Sequence, residues 1–111
     1  MRSEERYRSL LRAIADHLTK HGDRRWPPVL EEWVREIAQA SRVPRNHVER
    51  TRKALAGMGS IGDVVICPEA GHTVGPHERE IKLANDELLR LIGELDKEIQ
   101  RLIVNGDVLK C

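Results

Sequence analysis

The sequence predicts a mainly α-helical chain with one small β-hairpin and a long C-terminal helix of coiled-coil type. Three observations carry that prediction. Apolar residues recur at three- and four-residue intervals over residues 3–21 and again over 30–55. A cluster of glycines at Gly57, Gly59 and Gly62 then precedes the β-branched run Val64-Val65-Ile66. Finally, Ile81, Leu88, Leu95 and Leu102 stand at intervals of seven.

The first helix is expected from about Ser3 to His21. Tyr7, Leu10, Leu11, Ile14, Ala15 and Leu18 form one stripe, Ser3 can cap the first turn, and Gly22 ends the helix. Residues 22–28 read as a connector, with Pro28 able to sit in the first turn of the next helix. That helix places Leu30, Trp33, Val34, Ile37 and Ala38 on one face, and Ser41 and Arg42 break the pattern. Proline fixes φ and has no amide donor, so it is tolerated at a helix start, and a further helix is expected from Pro44 to Gly57. Val48, Thr51 or Arg52, and Leu55 would face inward. Arg45, Asn46, Glu49, Arg50 and Lys53 would face outward.

Val64-Val65-Ile66 and His72-Thr73-Val74 flank the turn sequence Pro68-Glu69-Ala70-Gly71 and predict the two strands of a hairpin. Such a hairpin is marginal on its own and must lean on the helices through Met58, Ile61, Val64 and Ile66. The last helix is expected from Pro76 to Val104, stopped by Asn105-Gly106. Ala84 and Leu91 fill the intermediate heptad position, Glu98 then occupies it, and Ile99 takes over beside it. A helix over 76–104 would be about 43 Å long, more than so small a domain is expected to cover, so Ile81, Ala84, Leu88, Leu91, Leu95, Ile99 and Leu102 are read as a dimerisation seam.

A chain of 111 residues suits one domain with a mainly aliphatic core, since it has no Phe and its aromatic residues are Tyr7, Trp26 and Trp33. No apolar run approaches the ~20 residues that cross a bilayer. The charged opening MRSEERYR has no apolar segment behind it, and two cysteines make no disulfide framework, so a cytoplasmic protein is expected. Cys111 can still bridge two subunits.

The net charge of +1 is unevenly placed. Residues 1–57 carry thirteen Lys and Arg against eight Asp and Glu, whereas 58–75 carry none against two and 76–111 six against eight. Between Arg42 and Lys53 five basic residues face one acidic residue, where a phosphate backbone could use them. The alternative for this cluster is a solvated helix face.

The order helix, helix, corner, basic helix, glycine break, hairpin and long helix resembles the winged helix-turn-helix family of DNA-binding domains. Ala38, Val43 and Val48, the corner Arg42-Val43-Pro44-Arg45 and the exit from Lys53 to Gly59 carry the resemblance, which covers residues 3–75. It implies that Ala38 lets two helices approach closely while the two valines fill the angle between them. Arg42 stands where that family usually has Gly, which implies positive φ there. It also implies that the helix from Pro44 to Gly57 enters the major groove. Arg can pair with guanine and Asn with adenine, so Arg45, Asn46 and Arg50 are the expected base readers; Glu49 can accept from cytosine, and Arg42, Arg52 and Lys53 are expected at phosphates. His47 is read either as a phosphate contact or as a half-buried packing residue. With no Lys or Arg in residues 58–75, the wing is expected to be structural or to meet a protein.

The layout read from the sequence is therefore a DNA-binding domain over 1–75, a dimerisation helix over 76–104 and a tail over 105–111. The expected function is sequence-selective binding of double-stranded DNA as a homodimer that regulates transcription. A protein-interaction module acting through the C-terminal helix is the alternative. No enzyme or cofactor signature is found: the G-x-G-x-x-G of Gly57, Gly59 and Gly62 follows a helix and precedes a strand, the reverse of a dinucleotide loop. Cys67, His72 and His77 have ligand-like spacing but provide only three local groups, so no metal is expected.

Overall fold

The computed structural model describes residues 3–38, 42–57, 59–106 and 108–109. Among these residues four helices form the body: α1 (Ser3–Lys20), α2 (Trp26–Glu36), α3 (Arg45–Ala54) and α4 (Glu78–Val104). Two two-residue strands, β1 (Val43–Pro44) and β2 (Val108–Leu109), pair in parallel, Val43 opposite Val108. Short 3-10 turns occupy Ile61–Asp63 and Pro68–Ala70.

The stripe on α1 behaves as its periodicity predicts. Tyr7, Leu11, Ile14 and Leu18 are fully buried, and α1 packs against both α2 and α4. Gly22 takes φ +77° directly after this helix, a conformation that side chains rarely adopt. The Asp23 carboxylate then accepts from the Trp26 backbone N–H at 3.0 Å. Pro27 and Pro28 occupy the first turn of α2 and have no amide donor to satisfy, so α2 begins at Trp26, before Leu30.

The C-terminal helix corrects one expectation. Ala84, Leu88, Leu91, Leu95, Ile99 and Leu102 are all buried inside the chain, none more than 6 % exposed, and Ile81 is half-buried. The seam assigned to a partner is filled by the chain itself. The physical reason is length: α1 is itself 18 residues with a matching apolar stripe, and it lies along α4. The α4 helix of 27 residues, about 40 Å long, packs along α1 within a molecule whose longest dimension is 45 Å. One hydrophobic cluster joins α1, α2, α3 and α4 across the boundary expected at residue 75. Where the heptad admits Glu98, that carboxylate is buried and held by Arg6 Nε at 3.2 Å and Arg101 Nη1 at 3.0 Å.

The hairpin expected over 58–75 is also corrected. Neither Val64–Ile66 nor His72–Val74 is a strand, and their polar groups are engaged elsewhere. The Ile66 N–H donates to Asn85 Oδ1 at 2.8 Å, while Asn85 Nδ2 donates to the Ile66 carbonyl at 2.9 Å and the Ile81 carbonyl at 2.8 Å. At the other end, the Thr73 N–H donates to the His21 carbonyl at 2.6 Å and His21 Nδ1 donates to the Thr73 carbonyl at 2.8 Å. Ile66 is tied to α4 and Thr73 to the turn that follows α1, so these backbone groups are not available to pair the two segments. Ile61 and Ile66 do reach the core, as anticipated, and Val64 packs against it; Met58 lies outside the described residues.

In the corner before α3, Pro44 stands in extended conformation immediately before the first helical residue, as expected. Its details differ from the resemblance. Helix α2 stops at Glu36, so residues 37–44 join the two helices, where a helix-turn-helix uses about three or four. Ala38 is exposed, so it does not mediate a close helix approach; Val43 and Val48 are buried. No non-glycine residue among those described has positive φ, so Arg42 does not take the conformation implied for it. Residues 39–41 lie outside the described residues.

Gly62 is fixed by a close backbone approach. A Cβ there would lie 2.2 Å from the Leu55 carbonyl oxygen, at the exit from α3. Gly62→Ala is expected to lower the unfolding free energy by about 1–3 kcal/mol, read as a reduced urea midpoint at unchanged slope.

Candidate nucleic-acid interface

Helix α3 divides cleanly by face. His47, Val48, Thr51 and Leu55 turn inward, which decides between Thr51 and Arg52 in favour of Thr51 and leaves Arg52 outside. Arg42, Arg45, Asn46, Glu49, Arg50, Arg52 and Lys53, the residues read from the sequence as DNA-contacting, are all exposed.

Those seven are not equivalent. Arg45 Nε donates to Glu49 Oε1 at 3.1 Å, an exposed i,i+4 pair of a kind that contributes about 0–1 kcal/mol and exchanges readily. Arg50 is held far more firmly. Its Nη2 donates to Glu36 Oε2 at 2.6 Å and its Nη1 to Glu36 Oε1 at 3.3 Å, while its guanidinium centre lies 6.0 Å from the Trp33 ring centre. The hydrogen bonds from Arg50 hold the Glu36 carboxyl below the usual carboxylate range. Among the described residues no acidic partner faces Arg42, Arg52 or Lys53, and Asn46 is likewise uncommitted.

Beneath this face lies a buried polar cluster. His47 is buried; its Nε2 donates to the Trp33 carbonyl at 2.7 Å, and its Nδ1 lies 2.9 Å from the Tyr7 hydroxyl. That hydroxyl is also 2.8 Å from Thr51 Oγ1, which reaches the His47 carbonyl at 3.0 Å. Burial is the main influence on the imidazole and pushes its pKa down, outweighing the Trp33 carbonyl and the Glu36 carboxylate 3.9 Å away. The ring is therefore neutral with its proton on Nε2, so the Tyr7 hydroxyl donates to Nδ1 and the Thr51 hydroxyl is free to donate to Tyr7 or to the carbonyl. Burial likewise drives the Tyr7 phenol well above its ordinary pKa. Of the two readings of His47, the structure gives the packing one, more buried than expected. Tyr7 was legible only as a core residue. A polar pair at i,i+4 on an otherwise apolar face, His47 and Thr51, was the available signal for the cluster.

Beside α3 a shallow groove of about 400 Å³ is lined by Trp26, Trp33, Arg50, Lys53, Ala54, Ala56, Gly59 and Ser60. The Arg25 guanidinium lies 5.2 Å from the Trp26 ring centre. Neither tryptophan was singled out in the sequence as anything but part of the scaffold.

The ligand-like trio is not assembled into a site. His72 spends Nδ1 on the Cys67 backbone N–H at 3.3 Å and approaches Asp23 Oδ1 with Nε2 at 3.2 Å, and His77 is exposed before α4. No group of three or more metal-ligating side chains is found among the described residues. No described helix is long and apolar enough to cross a membrane.

Residues 19–75 match the family model described as a domain of unknown function, DUF6966, and because this stretch is just over half of the chain, the chain belongs to that family. The matched stretch holds α2, α3 and the whole groove, while α4 and nearly all of α1 lie outside it. Neither the curated proteins nor the solved structures contain a match to this chain.

Proposed function

We propose that this chain binds double-stranded DNA through the outward face of α3 and acts as a regulator of transcription. The observation that carries this reading is the exposed set Arg42, Asn46, Arg52 and Lys53, polar and basic side chains with no acidic partner among the described residues, on and just before one helix. A phosphate backbone is what such a set recognises, because each neutralised phosphate releases counterions. Asn46 and Arg45, exposed in the first turn of α3, are the base readers; opening the Arg45–Glu49 pair costs little. Arg50, assigned to base reading in the sequence, is better suited to fixing α3 against α2 through Glu36 and Trp33.

Gel shift with a random duplex pool tests this. Arg52→Glu with Lys53→Glu is expected to weaken binding at least tenfold at fixed salt without changing the helical circular dichroism. Unchanged affinity would remove the reading.

A protein-interaction module acting through α4 is the second reading. It is favoured by Leu89, 57 % exposed one turn before half-buried Ile92, and by Ile103, 46 % exposed nearer the end of α4. Homodimerisation belongs with that reading, because the seam first assigned to it is filled by α1.

A further inference from the structure

We propose that the groove between α2 and α3 is a site for an unpaired nucleotide, its base against the indoles of Trp26 and Trp33 and its phosphate on Lys53. The groove combines two kinds of surface seldom found together. Its lining includes the two tryptophans and Ala54, with exposed Ala56 at its edge, and the Lys53 ammonium beside them. Arg25 adds a second positive charge beside Trp26. Among the described residues no acidic side chain lines it: Glu36, which pairs with Arg50, is not in the lining, and Asp63 spends Oδ2 on the Gly59 N–H at 3.0 Å. A ligand matching both surfaces is flat, aromatic and anionic.

Nucleotides meet that description, and their pairing state decides which ones fit. In a duplex the base faces are consumed by stacking on their neighbours, whereas a single strand offers every base a free π-face. A groove of about 400 Å³ has room for one such unit and not for a duplex. The groove shares Arg50 and Lys53 with the α3 face but does not depend on duplex binding there.

The chain has two tryptophans and both line the groove, so intrinsic fluorescence reads the site directly. The probes are (dT)8, (U)8 and a mixed-sequence DNA duplex, titrated into the full chain at two salt concentrations. Saturable quenching by the single strands is expected, weakening as salt rises; a preference between (dT)8 and (U)8 identifies the sugar that is read. Ala56→Glu places a carboxylate at the exposed edge of the groove and is expected to weaken (dT)8 at least tenfold, and Lys53→Ala at least threefold, both with unchanged circular dichroism. Absence of quenching by either single strand, or quenching that Ala56→Glu leaves intact, overturns the proposal. A duplex that fails to bind while (dT)8 quenches removes the α3 reading only, and the converse removes the groove only.

Discussion

Leu95→Ala is expected to lower the unfolding free energy by about 2–5 kcal/mol, and by the same amount at every protein concentration. Leu95 is fully buried on the side of α4 that carries the core stripe, so truncation leaves a cavity in a single chain. Had the heptad seam been an interface between two chains, the loss would grow on dilution, because subunit association is linked to concentration. Urea unfolding at two concentrations a hundredfold apart separates the two. A concentration-dependent midpoint would return α4 to the role of a dimerisation arm.

Tyr7→Phe is the second large effect. It removes the hydroxyl that serves both His47 and Thr51, leaving a buried imidazole nitrogen without its donor, at a cost of about 1–3 kcal/mol. The same cluster gives stability a pH dependence. His47 is held below its ordinary pKa of 6.5 in the folded chain, so below that pH the unfolded chain binds more protons. Its contribution is fully present above pH 6.5 and is lost as pH falls from 6.5 through the lower folded value. Glu36, also held low, acts in the same sense at more acidic pH, since its contribution is present above 4.5 and lost below. The thermal midpoint should therefore fall between pH 7.5 and 5.5, and His47→Gln should flatten that fall. A midpoint that rises on acidification would contradict the neutral imidazole.

Much of the helical framework was legible because it is local. Tyr7, Leu11, Ile14 and Leu18 define one face of α1 whatever they meet, Pro44 marks the start of α3, and Asn105-Gly106 closes α4. What fills a stripe is not local. The heptads from Ile81 to Leu102 specify a helical partner but not whether it is a second copy or α1. Val64-Val65-Ile66 has the composition of a strand, and only the Asn85 amide, nineteen residues away from Ile66, explains why it pairs with a side chain and not with another strand.

The candidate site divides in the same way. Exposure of Arg45, Asn46, Glu49 and Lys53 follows from helical spacing within ten residues. The capture of Arg50 by Glu36, and the meeting of Trp26 and Trp33 with α3 in one groove, depend on how α2 and α3 sit together. The Tyr7–His47 contact joins residues forty apart and has no sequence signature beyond two polar groups on apolar faces.

The salt dependence of duplex binding is the measurement that bears most directly on the role of α3. Plotting log affinity against log salt for the wild-type chain should give a negative slope of about 0.9 per phosphate neutralised, and Arg52→Ala and Lys53→Ala should each make it shallower by about one. A slope near zero, or one that both substitutions leave unchanged, would contradict DNA binding by α3.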